Sequence, residues 1–207
     1  MMQMLRAGGL PLLTDGVRAA DEDNPEGYFE YEAVKRTCQD AGWLASAGGR
    51  AVKMVHLLLL DLPGGYRYRV ILMRRAIEEV LASQQAMLAR SGRVGAGLPA
   101  ERLAAAYTQQ IEVVLQALHT RAGFQVLEVQ HRKCLEAPER AAGAVNDLLG
   151  GGFDTAGMAA AVRPGLHRQR RAVWLSGVTT GSPPIPQRGG AGRRPIADRD
   201  GVGSTRR

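Results

Sequence analysis

The sequence predicts an α/β domain: a mainly parallel sheet with flanking helices. Three observations lead there. Apolar runs of strand length alternate with amphipathic segments of helix length over residues 1–162. The strand-like runs are rich in branched apolar residues and free of proline, as strands covered on both faces require. The chain has 207 residues and a hydrophobic fraction of 45%, enough to bury one core of ordinary size, although its aromatic share is only 5%.

Taken in order, residues 14–32 (TDGVRAADEDNPEGYFEYE) are acidic, turn-rich and too polar for an inner strand. Such a loop at the carboxyl edge of a sheet either touches substrate or plugs the core with Tyr28, Phe29 and Tyr31. Residues 51–60 (AVKMVHLLLL), 69–73 (RVILM) and 124–129 (FQVLEV) are expected to be the strands of the core sheet. Over 76–90, Ile77, Val80, Leu81, Met87 and Leu88 form one apolar stripe, with Glu78 and Glu79 in the first turn and Arg90 in the last, so a helix follows the second strand directly. Pro99 opens another helix, in which Leu103, Tyr107, Ile111, Val114, Leu115 and Leu118 recur at spacings of three and four before Gly123. Pro138 opens a third, which stops at Gly150-Gly151-Gly152, and Asp154 caps a short last helix reaching about Val162.

The net charge of +7 points toward an acidic partner only if it is spread over the fold, and it is not. Residues 1–162 hold 17 basic and 18 acidic side chains, a net of −1, whereas residues 163–207 hold ten Arg and two Asp, a net of +8. The folded domain is expected over 1–171. Residues 172–207, with seven Gly and four Pro, show no helical or alternating apolar period after Trp174 and are expected to be a disordered tail. That tail is either a solvated extension or a nucleic-acid-binding arm, and the lack of aromatic residues between its arginines favours the first.

No run reaches the 18 apolar residues of a membrane span, the longest being residues 55–60, and the N-terminus lacks the layout of a signal peptide. Cys38 and Cys134, 96 positions apart, rule out a disulfide-dense scaffold, and no Cys-x-x-Cys pair or histidine spacing offers a metal site, so the expectation is a cytoplasmic protein without metal.

The segment with most chemistry is Arg69-Val-Ile-Leu-Met-Arg74-Arg75, which turns at once into the helix carrying Ser83. An arginine at the carboxyl end of a parallel strand, beside the unpaired N–H groups of the next helix, is placed to bind a phosphate. Ser83, nearly two turns into the helix, projects from the same face as its start and can add a donor. The plainer reading is that Arg74 and Arg75 are a solvated strand end.

The pattern Arg75-x7-Ser83 at a strand-to-helix junction resembles the 3′-phosphate-binding motif of sulfotransferases that use 3′-phosphoadenosine 5′-phosphosulfate. Asn24-Pro25-Glu26-Gly27-Tyr28-Phe29-Glu30, Ala51-Val52-Lys53, Val80-Leu81-Ala82-Ser83-Gln84, Val126-Leu127-Glu128-Val129, Cys134-Leu135-Glu136-Ala137-Pro138 and Asn146-Asp147-Leu148-Leu149-Gly150 are similar to a bacterial branch of that family. The resemblance covers about residues 1–171. It implies a P-loop nucleotide-binding fold, Arg75 and Ser83 on the 3′-phosphate of the donor, and transfer of a sulfuryl group to a hydroxyl or amine of a small-molecule or glycan acceptor. The family's first strand and its glycine-rich Ser-Gly-Thr loop, which cradles the 5′-phosphosulfate, have no counterpart. Residues 1–5 match the middle of the helix after that loop, so an N-terminally truncated domain with reduced or absent activity is expected.

Lys53 and His56 are the candidates for charge neutralisation and for the base, by a loose likeness to the family's lysine and histidine. Residues three apart on a strand face opposite ways, so they serve together only if the strand ends between them. Glu26 and Glu30 are positional alternatives for the base, and Arg168, Arg170 and Arg171 are candidates for further contacts to the 3′-phosphate. The remaining alternatives are a noncatalytic remnant or interaction module, and nucleic-acid binding through the tail.

Overall fold

A computed structural model of the chain describes residues 1–163, apart from 22, 23, 25, 91 and 93–96. The expected tail and Arg168, Arg170 and Arg171 lie outside these residues. The elements are α1 (Met2–Ala7), β1 (Tyr68–Arg74), α2 (Ile77–Arg90), α3 (Ala100–Thr120), β2 (Phe124–Gln130), α4 (His131–Glu136), α5 (Pro138–Leu149) and α6 (Thr155–Ala160), with 3-10 turns at Glu32–Arg36, Gly42–Ser46 and His56–Asp61. This is an α/β architecture on a parallel sheet, with α2 and α3 forming the crossover between its strands.

Strands β1 and β2 pair in register from Tyr68 opposite Phe124 to Arg74 opposite Gln130. The pairing starts where the Tyr68 N–H donates to the Gly123 carbonyl at 2.8 Å. Gly123 has φ +88°, and a Cβ there would lie 2.4 Å from the Tyr66 carbonyl oxygen, so only glycine lets the chain enter β2 at this closeness. Side chains of the two strands alternate between two cores, as the two-residue period demands. Tyr68, Val70, Phe124 and Val126 join Val114 and Leu118 of α3 with Leu44, Leu59 and Leu62 on one face. Ile71, Met73, Leu127 and Val129 join Met4 and Leu5 of α1, Cys134 of α4, Ala142 and Val145 of α5 and Met158 of α6 on the other. A two-stranded sheet is too small to stand alone, so these two apolar layers hold it.

The helix ends follow local chemistry. Pro138 is the first residue of α5, and Gly150, at φ +95°, closes it by donating to the Asp147 carbonyl at 3.1 Å while Gly151 donates to Asn146 at 2.8 Å. Arg69 of β1 adds a cation to the same helix end, donating to the Leu149 carbonyl at 2.7 Å. The Asp154 carboxylate caps α6 by accepting from the Gly157 N–H at 2.8 Å.

Two expectations need correction. Residues 51–60 are not a strand of the core sheet. Only Ala51 pairs, through one parallel bridge to Leu12, and the chain then closes into the His56–Asp61 turn with Leu59 inward and Leu57 and Leu60 exposed. A strand must satisfy its N–H and C=O groups along its length, and among the described residues no strand pairs with this stretch beyond the Leu12 bridge; a 3-10 turn satisfies them locally. The sheet accordingly has two strands, not three. Cys134-Leu135-Glu136-Ala137-Pro138, which the resemblance implies is a loop after the last strand, instead lies partly in a helix, α4, whose Cys134 is buried against Met4.

No helix of the described residues is long and apolar enough to cross a membrane.

Candidate functional site

The β1–α2 junction is formed as its residues suggest. Strand β1 ends at Arg74, two residues follow, and α2 begins at Ile77 with Glu78 and Glu79 in its first turn. The two arginines differ in what they meet. Arg74 reaches across the sheet to Glu128 of β2, 2.8 Å away. Arg75 turns along α2, where its Nε donates to Glu79 at 2.9 Å. Ser83 is half-buried one turn beyond Glu79, so Arg75, Glu79 and Ser83 follow one another at intervals of four along the same side of the helix. The junction thus holds a cation, a carboxylate and a hydroxyl. Glu79 engages Arg75 in a half-buried setting, the two side chains being 26% and 13% exposed, so any anion reaching Arg75 would have to displace this carboxylate.

Lys53 belongs to a different cluster. Its ammonium donates to the Tyr28 carbonyl at 2.9 Å and lies 3.6 Å from Glu30, so it is tied to the acidic loop. Glu30 also pairs with Arg18 at 3.2 Å, whose guanidinium lies 3.3 Å from the centre of the Tyr28 ring. The Tyr28 hydroxyl donates to Asp21 at 2.8 Å. Desolvation, and next the Asp21 carboxylate that accepts this bond, push the Tyr28 phenol above its ordinary pKa. Glu26 is engaged by Arg163 at 2.6 Å. These contacts answer the two readings of the loop in part: Tyr28 is buried, whereas Phe29 and Tyr31 are half-buried. Tyr31 meets the Trp43 ring edge-on at 6.2 Å between centroids.

His56 stands apart from Lys53. Strand geometry does not relate the two, because His56 opens a 3-10 turn; its Nε2 lies 3.4 Å from Gln110 of α3, and its ring is tilted against Tyr107. Among the described residues no hydrogen bond or ion pair joins Lys53 or His56 to Arg75 or Ser83. No group of three or more His, Cys, Asp or Glu among them is arranged to hold a metal ion.

A third feature is a shallow open hollow of about 410 Å³ at the end of α1, lined in part by Arg6, Leu10, Leu12, Thr14 and Phe29. Phe29 has φ +52°, alone among the described non-glycine residues in the left-handed region. That conformation costs on the order of 1 kcal/mol and persists only when neighbouring contacts impose it. Here they do: Lys53 holds the carbonyl before Phe29, and the Asp15 N–H donates to the Glu30 carbonyl after it at 3.2 Å.

Sequence reasoning missed Glu79, Arg18 and Asp21. The first was within reach, since Arg75 and Glu79 stand at the four-residue spacing of helical ion pairs; the other two depend on how the loop doubles back over Tyr28, which no spacing encodes. Comparison with protein-family models, curated proteins and solved structures finds no match to this chain.

Proposed function

We propose that the chain is a sulfotransferase-type domain of the P-loop nucleotide-binding class whose β1–α2 junction holds the 3′-phosphate of 3′-phosphoadenosine 5′-phosphosulfate. The observation that carries this reading is the junction itself: a parallel strand running into Arg74-Arg75 and turning within two residues into a helix that bears Ser83. Arg75 supplies a fixed charge and Ser83 a hydroxyl, and the first N–H groups of α2 face the same end, a combination suited to a phosphate.

In the reaction an acceptor oxygen or nitrogen attacks the sulfur, the bond from sulfur to the 5′-phosphate oxygen breaks, and the acceptor loses its proton. Positioning and charge stabilisation supply most of the rate in such in-line transfers. Lys53 is the cation proposed to balance charge near the transferred group, and His56 is a weaker candidate for the base. No Ser-Gly-Thr stretch occurs in the 207 residues, so the family's 5′-phosphosulfate loop has no counterpart in them. Nucleotide binding through the 3′ end is therefore expected of these residues, with sulfuryl transfer severely reduced or absent. The acceptor is proposed to be a small molecule or glycan.

A noncatalytic domain is the second reading, favoured by the Arg75–Glu79 pair, which satisfies the arginine without a ligand. Calorimetry with adenosine 3′,5′-bisphosphate separates the two. The proposed function requires saturable binding that weakens at least tenfold in Arg75→Ala and tightens in Glu79→Gln; absence of binding by the unaltered chain supports the noncatalytic reading.

A further inference from the structure

The hollow at the end of α1 has the composition of a small-molecule site and owes nothing to the nucleotide reading. Its wall is apolar: Leu10 and Leu12 are half-buried members of the core layer that holds α1. Its cation is Arg6. The guanidinium lies 5.2 Å from the centre of the Phe29 ring, and no carboxylate among the described residues pairs with it. The other arginines near this loop, Arg18 and Arg163, are both taken by glutamates. Its hydroxyl is Thr14, exposed on the rim.

The parts are held in place before any ligand arrives. Arg6 stands on α1, which is anchored by Met4 and Leu5 at 1% and 4% exposure. The Phe29 ring is held by a left-handed backbone that phenylalanine does not choose, and the contacts imposing it come from Lys53 and Asp15 on either side. Strain kept at one aromatic residue, beside a cation that no carboxylate engages and an open hollow, is the combination found where a ligand is held.

We propose that this hollow binds a small arylalkyl carboxylate. The carboxylate takes the Arg6 guanidinium and the Thr14 hydroxyl, and the aryl group lies on Leu10, Leu12 and Phe29. The hollow is shallow and open, so it takes a small ligand along one face. Arg6 is the one charged residue of the lining, so the fit is to a monoanion with an apolar body rather than to a polyanion.

The test is a titration of the full, 15N-labelled chain followed by NMR, with phenylacetate as the probe. Phenylacetate is expected to shift the Gly9, Thr14 and Phe29 amides saturably, while the uncharged 2-phenylethanol and inorganic sulfate each bind at least tenfold more weakly. Arg6→Gln, at an exposed position, is expected to weaken phenylacetate at least tenfold without altering the spectrum of β1 and β2. Phe29→Gly removes the ring and the strain together: binding is lost while the melting temperature holds or rises. Adenosine 3′,5′-bisphosphate does not displace the probe, so failure at the nucleotide junction and failure here are read separately. The proposal is overturned by the absence of saturable shifts, by equal affinity in Arg6→Gln, or by sulfate binding as tightly as phenylacetate.

Discussion

The stretch from residue 68 to residue 160 and the stretch from residue 8 to residue 67 share an apolar layer but differ in what orders them locally. The first contains the parallel ladder, and together with α1 it supplies all of the largest side chains buried to less than 2% exposure: Met4, Val114, Leu118, Val145 and Met158. The second has one bridge, Leu12 to Ala51, and three 3-10 turns among the described residues. Leu44, Leu59 and Leu62 dock it on the apolar layer of α3, and polar contacts order the rest: Lys53 on the Tyr28 carbonyl, the Asp15 carboxylate on two backbone N–H groups, and the buried Thr37 hydroxyl, which donates to Val34 at 2.6 Å and accepts from the Trp43 indole at 3.2 Å. Arg121 at the end of α3 ties the two stretches by donating to the carbonyls of Leu60 and Leu62. The proposed phosphate junction lies on the apolar-held part and Lys53 on the polar-held part. Perturbations should therefore divide them.

The largest effect is expected from Leu118→Ala, fully buried between α3 and the sheet. The lost burial and the cavity together cost about 3 kcal/mol. The denaturation midpoint should fall for every probe alike, and a local response confined to α3 would break the comparison. Gly123→Ala should follow at about 2 kcal/mol, because alanine must adopt φ +88° with its Cβ against the Tyr66 carbonyl at the point where the ladder begins. Chemical denaturation measures it.

Lys53→Met should cost about 1 kcal/mol, since the exposed ammonium makes one good bond to the Tyr28 carbonyl. Its expected signature is faster amide hydrogen exchange in the loop near residues 28–30, with β1 and β2 unchanged. Slowed or unaltered exchange in the loop would contradict a polar-held region. Acid should act there as well, by a smaller amount. The N–H groups of Glu32, first, and Val17 hold the Asp15 carboxylate below its ordinary range. A lowered folded pKa contributes stability that is complete above the unfolded value of about 4 and disappears as the pH falls through the folded value. Protection of the loop amides, taken relative to their intrinsic exchange rate, should thus fall below about pH 4, and Asp15→Asn should remove most of that dependence.

The same division governs what the sequence revealed. The ranges of β1, β2, α2, α3, α5 and α6 were legible to within a residue or two, because their periodicity and caps are local: Pro138 and Gly150 bound α5, and Asp154 caps α6. Residues 51–60 misled. A continuous apolar run fits a buried strand or a turn equally well, and whether a partner strand lies alongside is a non-local fact. Around the candidate site, the turn from β1 into α2 was legible, whereas the separation of Lys53 from His56 was not, since it depends on the chain turning at His56 toward Gln110. The hollow beside Phe29 left no trace in the sequence either. Left-handed phenylalanine has no compositional sign, and Arg6 and Phe29 meet only through the path of the loop.

The central claim is that the β1–α2 junction recognises a 3′-phosphate through Arg75. The most direct measurement compares the affinities of adenosine 3′,5′-bisphosphate and adenosine 5′-phosphate for the unaltered chain and for Arg75→Ala. The expected result is at least a tenfold preference for the bisphosphate that disappears in the variant. An equal affinity for both nucleotides, or a preference that survives the substitution, would contradict it.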